Sequence, residues 1–94
     1  MEFKGVCANP GRVVGIIVDS LDEEGIYLAD TLKPYEIIDP KKTKGMILKR
    51  SGLLSHGAII AREFNVPCVV KANVPDLKGK KVELDAGAGI IRVL

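Results

Sequence analysis

No run of consecutive apolar residues in this chain exceeds five, and glycines, prolines and short polar turns break the sequence at close intervals. Such punctuation leaves room for strands of about four to eight residues and for few helices of ordinary length. The β-branched run Arg12-Val13-Val14-Gly15-Ile16-Ile17-Val18, entered through the turn signal Asn9-Pro10-Gly11, reads as a strand. Gly15 inside it suggests a bulge or a close backbone approach. Further short strands are expected at residues 26–29, 46–48, 69–70, 82–84 and 90–93. Residues 31–44 contain Pro34 and Pro40 and show no period, which reads as an irregular connection with one helical turn. The clearest helix covers residues 55–64, opening on the cap-type Ser55 and closed by Asn65 with Pro67 just beyond.

Ninety-four residues at 47% apolar content suit one core and one domain over residues 1–94, with no repeat and no linker tract. Aromatic residues make up only 4% and Trp is absent, so Val, Ile, Leu and Ala must build that core. The formal charge of +2 excludes the strongly basic balance of a dedicated nucleic-acid binder, and the few aromatics are too scattered to stack bases. Nothing approaches the roughly 20 apolar residues of a membrane span. Cys7 and Cys68 lie far apart in a chain that opens without a leader-like segment, so a reduced, cytoplasmic protein is expected. Cys68, in Pro67-Cys68-Val69-Val70, reads as a small core residue.

The single histidine, His56, stands where the loop Ser51-Gly52-Leu53-Leu54-Ser55 enters the helix. Unpaired amides and a partial positive charge at a helix N-terminus stabilise an anion by about 0.3–1 kcal/mol, and a phosphoryl group on the imidazole would be such an anion. That field disfavours a cation, and only a neutral imidazole has a free nitrogen to attack phosphorus. Gly52 and Gly57 are expected to keep bulk away from the ring so that a donor can approach. Chemistry alone leaves a second reading open, in which His56 is an exposed polar residue or a cap. One His and two distant Cys make no metal site, and adjacent Ser55 and His56 cannot face each other as parts of a hydrolase triad. Lys41, Lys42, Lys44, Lys49 and Arg50 lead into this loop. They read either as an anion-steering patch or as a solvated strand edge.

The run Gly52-Leu53-Leu54-Ser55-His56-Gly57-Ala58-Ile59-Ile60-Ala61-Arg62-Glu63, followed by Val66-Pro67-Cys68-Val69-Val70, resembles the signature of the phosphohistidine domain. This is the mobile domain of PEP-utilising enzymes such as phosphoenolpyruvate synthase, pyruvate phosphate dikinase, enzyme I and rifampicin phosphotransferase. Weaker similarity extends over residues 8–94. The resemblance implies an α/β fold, a swivelling three-layer β/β/α domain with short strands and one principal helix beginning near Ser55. It implies phosphorylation of His56, a supporting loop and helix N-terminus of Gly52, Ser55 and Gly57, and Arg62 as a phosphate or docking contact, with a solvated helix-face arginine as the alternative.

By the same resemblance, no cofactor binds this domain itself. ATP or phosphoenolpyruvate, with Mg, belongs on partner domains: an ATP-grasp nucleotide-binding domain, and a domain for phosphoenolpyruvate, pyruvate or another acceptor, in cis or in trans. The chain alone would then not turn over substrate. Leu54 in place of the usual Thr, Ser51 in place of the first of two glycines, and Lys49-Arg50 in a commonly acidic or polar stretch leave the acceptor open. Two other functions compete: an interaction or regulatory module that keeps the fold without carrying phosphate, and a swivelling subunit of a dehydratase.

Overall fold

The computed structural model describes residues 1–94. Eight strands form: β1 (Glu2–Lys4), β2 (Val6–Asn9), β3 (Arg12–Val18), β4 (Gly25–Ala29), β5 (Thr43–Leu48), β6 (Cys68–Val70), β7 (Lys81–Asp85) and β8 (Ile90–Val93). One α-helix, α1 (His56–Phe64), lies between β5 and β6, and a 3-10 turn at Ala86–Ala88 links β7 to β8. The lateral order is β1-β8-β7-β3-β4-β5-β6-β2. β3 belongs to both halves, because Arg12 to Ile16 pair antiparallel with β7 while Ile17 and Val18 pair parallel with β4. β4, β5 and β6 continue parallel, and β2 closes that half antiparallel to β6.

β1 and β2 end the strand order on opposite sides, yet only Gly5 separates them in the chain, so the sheet folds over into two packed layers. A Cβ at Gly5 would lie 2.4 Å from a Val69 methyl, and glycine lets the chain turn this corner against β6. Side-chain alternation along the strands sorts the core into two clusters. Met46 and Leu48 of β5 and Cys68 and Val70 of β6 pack with Ala58 and Ala61 of α1. Ile47 and Val69 point the other way, onto Val82, Leu84 and Ile91 of the second sheet. Strands buried on both faces read as unbroken apolar runs, which accounts for Met46-Ile47-Leu48 and Cys68-Val69-Val70. The layers are α1, then β4-β5-β6-β2, then β1-β8-β7-β3, the β/β/α arrangement expected from the sequence.

Three local expectations change. The N-terminal strands β1 and β2 were not anticipated; they form because β8 and β6 offer partners distant in sequence. Gly15 is not a bulge, since it pairs with Val82 in unbroken register, and the register shifts fall at Cys7/Asn9 and Gly25/Ile26 instead. Residues 31–44 do hold one helical turn, where the Thr43 amide donates to the Asp39 carbonyl at 2.8 Å, and the Glu36 amide closes a β-turn on the Lys33 carbonyl at 2.9 Å; what changes is that β5 starts at Thr43, where β4 recruits it, and not at Met46. The amide of Val93 donates to the Met1 carbonyl at 2.9 Å, and Glu2 lies opposite Arg92. Both chain ends therefore leave from one edge of the layer farthest from α1. No helix is long and apolar enough to cross a membrane.

Candidate functional site at the start of the helix

Helix α1 follows β5 and returns to β6, so its N-terminus lies at the carboxyl ends of the parallel strands, where open α/β sheets place their ligands. Ser55 is the N-cap: its Oγ accepts from the Ala58 amide at 3.3 Å and donates to the Gly52 carbonyl at 2.7 Å. One hydroxyl thus ties the incoming loop to the first turn. The Ile59 amide is taken by the Ser55 carbonyl at 3.0 Å, which leaves the amides of His56 and Gly57 as the uncapped donors of that turn. At the other end Asn65 adopts the left-handed conformation, and Asn9 clamps it, donating from Nδ2 to the Val66 carbonyl at 3.1 Å and to Asn65 Oδ1 at 3.3 Å.

His56 is the first residue of α1 and is half-buried; its Nε2 is enclosed and makes no hydrogen bond. A cavity of about 270 Å³ beside the ring is lined by Glu36 and Glu63 together with Ile37, Ile60 and Phe64. Neither carboxylate was singled out from the sequence. Glu63 follows His56 by seven residues, a spacing that returns to the same helix face, whereas Glu36 comes from the irregular connection and carries no sequence signal.

Gly52 and Gly57 part company. A Cβ at Gly52 would meet nothing within 4 Å, so the loop is open there. A Cβ at Gly57 would lie 2.4 Å from Leu48 Cδ1 and 3.0 Å from Leu32 Cβ. Gly57 therefore lets the helix sit against β5 and does not clear space for a donor. Arg62 stands six residues after His56, roughly 240° around the helix. Its Nε donates to the Ala8 carbonyl at 3.0 Å and an Nη to the Leu53 carbonyl at 2.6 Å. The guanidinium braces β2 and the His56 loop against the helix, a structural role absent from the sequence expectation.

Cys68 is fully buried, and burial pushes its thiol up to about 12, which fits the core role read from its neighbours. The basic run does not form one patch. Lys44 pairs with Glu24 near the start of β5 at 3.9 Å, while Lys49 and Arg50 follow its far end, roughly 17 Å away along the strand.

Residues 21–89 match the family described as PEP-utilising enzyme, mobile domain. The chain is 35% identical over 78 residues to multiphosphoryl transfer protein 2 of Escherichia coli, covering 78% of this chain and 9% of that protein. It is 32% identical over 100 residues to phosphoenolpyruvate synthase of Pyrococcus furiosus, covering 95% and 12%. With pyruvate, phosphate dikinase of Rickettsia bellii it shares 33% identity over 96 residues, covering 94% and 11%. The chain thus spans about a tenth of the length of these relatives.

Among solved structures, an Enzyme I (nEIt) protein superposes with a TM-score of 0.65 at 32% identity, covering 80% of this chain and 32% of that one. Aconitase X of Thermococcus kodakaraensis superposes with a TM-score of 0.76 over 100% of this chain and 98% of that one, at 18% identity, a likeness of fold alone. The family match over most of the chain, joined by relatives above 30% identity, establishes that this chain belongs to the PEP-utilising enzyme mobile domain family.

Proposed function

We propose that this chain is the phosphoryl-carrier part of a phosphotransferase: His56 accepts a phosphoryl group from ATP or phosphoenolpyruvate held by a partner domain and passes it to pyruvate or another acceptor. The observation that carries the reading is the placement of the only histidine as the first residue of α1, at the end of a loop that is open at Gly52, with Nε2 free of any hydrogen bond. In the charging step the Nε2 lone pair forms the N–P bond while the P–O bond to the donor's leaving oxygen breaks and that oxygen keeps the electron pair. The attacking tautomer carries its proton on Nδ1. Because Nε2 is enclosed at rest, the ring turns outward to meet the donor and brings the phosphoryl oxygens toward the uncapped amides of the first turn.

ATP or phosphoenolpyruvate, with Mg, sits on partner domains in this reading: an ATP-grasp nucleotide-binding domain and a domain for the acceptor. The chain's share of about a tenth of its relatives' length supports a division of labour in which the chain alone does not turn over substrate. The test is phosphorus NMR of the wild type and of His56→Ala after incubation with cell extract and either ATP or phosphoenolpyruvate. A phosphoimidazole signal in the wild type alone is expected, and the effective donor identifies the charging reaction. A His56→Ala protein that still took up phosphate would sink the assignment. No signal with either donor, from an extract that charges a known carrier domain, would leave a binding module that keeps the fold.

A further inference from the structure

A second concave surface opens at the same end of the sheet as α1. The residues that follow β5 and those that follow β6 enclose a cleft of about 440 Å³, within the range of small-molecule sites and beyond the carboxyl ends of two adjacent parallel strands. Three cations, Lys49, Arg50 and Lys71, line it with Ser51, Asn73 and Gly52, and no carboxylate does. Neither Lys49 nor Lys71 pairs with an acid anywhere in the chain, and Arg50 has only a loose contact with Asp30 at 3.7 Å, both side chains being well exposed. Three cations around one cleft favour an anion there, while Lys49 also borders a neighbouring hollow lined by Asp19, Asp30 and Asp76.

The backbone holds these residues in place. The amides of Lys49 and Arg50 donate to the carbonyls of Ala29 and Asp30, each at 2.9 Å, and the Lys71 amide donates to the Leu48 carbonyl at 3.1 Å. Lys71 has φ of +53°, a left-handed conformation that lysine rarely adopts and that local packing must sustain. Gly52 leaves the mouth open, since a Cβ there would meet nothing within 4 Å. We propose that this cleft binds a small anion carrying phosphate, gripped by Lys49, Arg50 and Lys71, at a place separate from His56. A concave site lined by three cations on fixed backbone favours a small ligand over an acidic protein surface, which would dock on a flatter and wider patch. The inference rests on this lining and holds whether or not His56 carries phosphate.

The test titrates the full chain, labelled with nitrogen-15, with sodium pyrophosphate at constant ionic strength. Saturable shifts are expected in the amides of residues 49–52 and 71–74. Lys71→Asn should weaken binding about tenfold, the loss of one charge-assisted contact. The same variant should melt no lower than the wild type, because asparagine tolerates the left-handed conformation, so weakened binding cannot be put down to misfolding. His56→Ala should bind as the wild type does. Failure to saturate, equal shifts at Lys41 and Lys42, unchanged affinity in Lys71→Asn, or loss of binding in His56→Ala would each overturn the site. So would shifts at these residues with polyglutamate and none with pyrophosphate, which would assign the cleft to an acidic partner.

Discussion

Replacing Gly57 with alanine sets two known effects against each other at a position where the structure says which wins. Alanine is better than glycine inside a helix by about 0.5–1 kcal/mol. The new Cβ, however, would sit 2.4 Å from Leu48 Cδ1 and 3.0 Å from Leu32 Cβ, against about 3.5–4 Å for carbons in contact. Leu48 is fully buried and Leu32 nearly so, so either can withdraw only by displacing packed neighbours. Overpacking of this kind costs about 1–3 kcal/mol. The net expectation is a loss of about 1–2 kcal/mol, or a melting temperature lower by about 5–15 °C for a domain of this size.

The assay is urea and thermal unfolding followed by circular dichroism, with Gly52→Ala as the control. The control should stay within about 0.5 kcal/mol of wild type, since its Cβ meets nothing. Relief of the clash moves the start of α1 outward by about 1 Å, so the phosphoryl uptake proposed for His56 should also slow in Gly57→Ala. A Gly57→Ala protein as stable as wild type or more so would refute the argument that close helix–strand contact is why glycine stands there.

Two further outcomes follow from contacts that hold the site. Arg62→Gln should cost about 1 kcal/mol, the worth of charge-assisted bonds discounted for an exposed guanidinium, and should speed hydrogen exchange at residues 52–55; unchanged exchange would remove Arg62 as the brace of that loop. Burial raises the Cys68 thiol from 9.0 to about 12, so its contribution to stability is complete below about pH 9 and falls by up to about 1.4 kcal/mol per pH unit as pH climbs toward 12. Urea midpoints at pH 8 to 11 should therefore fall less steeply in Cys68→Ala, where the residual loss comes later from Tyr27, whose hydroxyl is also raised by burial and then by Glu36. Equal slopes in the two proteins would contradict the buried-thiol account.

What the sequence made legible divides along physical lines. The helix was readable because its signals are local: Ser55 caps it, Asn65 and Pro67 end it, and alanines line its inner face. β5 and β6 were readable because strands buried on both faces are written as unbroken aliphatic runs, and β3 because its β-branched run suits a strand even though Val14 and Ile16 are exposed. β1 and β2 were not, since Glu2-Phe3-Lys4 has no strong pattern and becomes a strand only when β8, almost ninety residues later, supplies its partner. At the site, the position of His56 came from local punctuation, whereas Glu36 beside it and Lys71 near the loop arrive through tertiary contacts that no spacing records. Gly57 was noticed for its residue type and given the wrong neighbour, because only the fold places it against Leu48.

Met1 and Val93 share a hydrogen bond on the outermost sheet, while His56 rides on the helix at the opposite face. Polypeptide entering at one end and leaving at the other would therefore issue from a single point, like the two strings of a pendulum tied to one nail. The histidine hangs at the bob, two layer spacings or about 20 Å from that point. A quarter turn about the nail would carry it through an arc of about 30 Å without disturbing one contact inside the domain. On the carrier reading proposed above, the reach of His56 would thus be set by connecting polypeptide and geometry, and core mutations that leave the layers intact should alter how often such a swing succeeds far less than how long the bob survives.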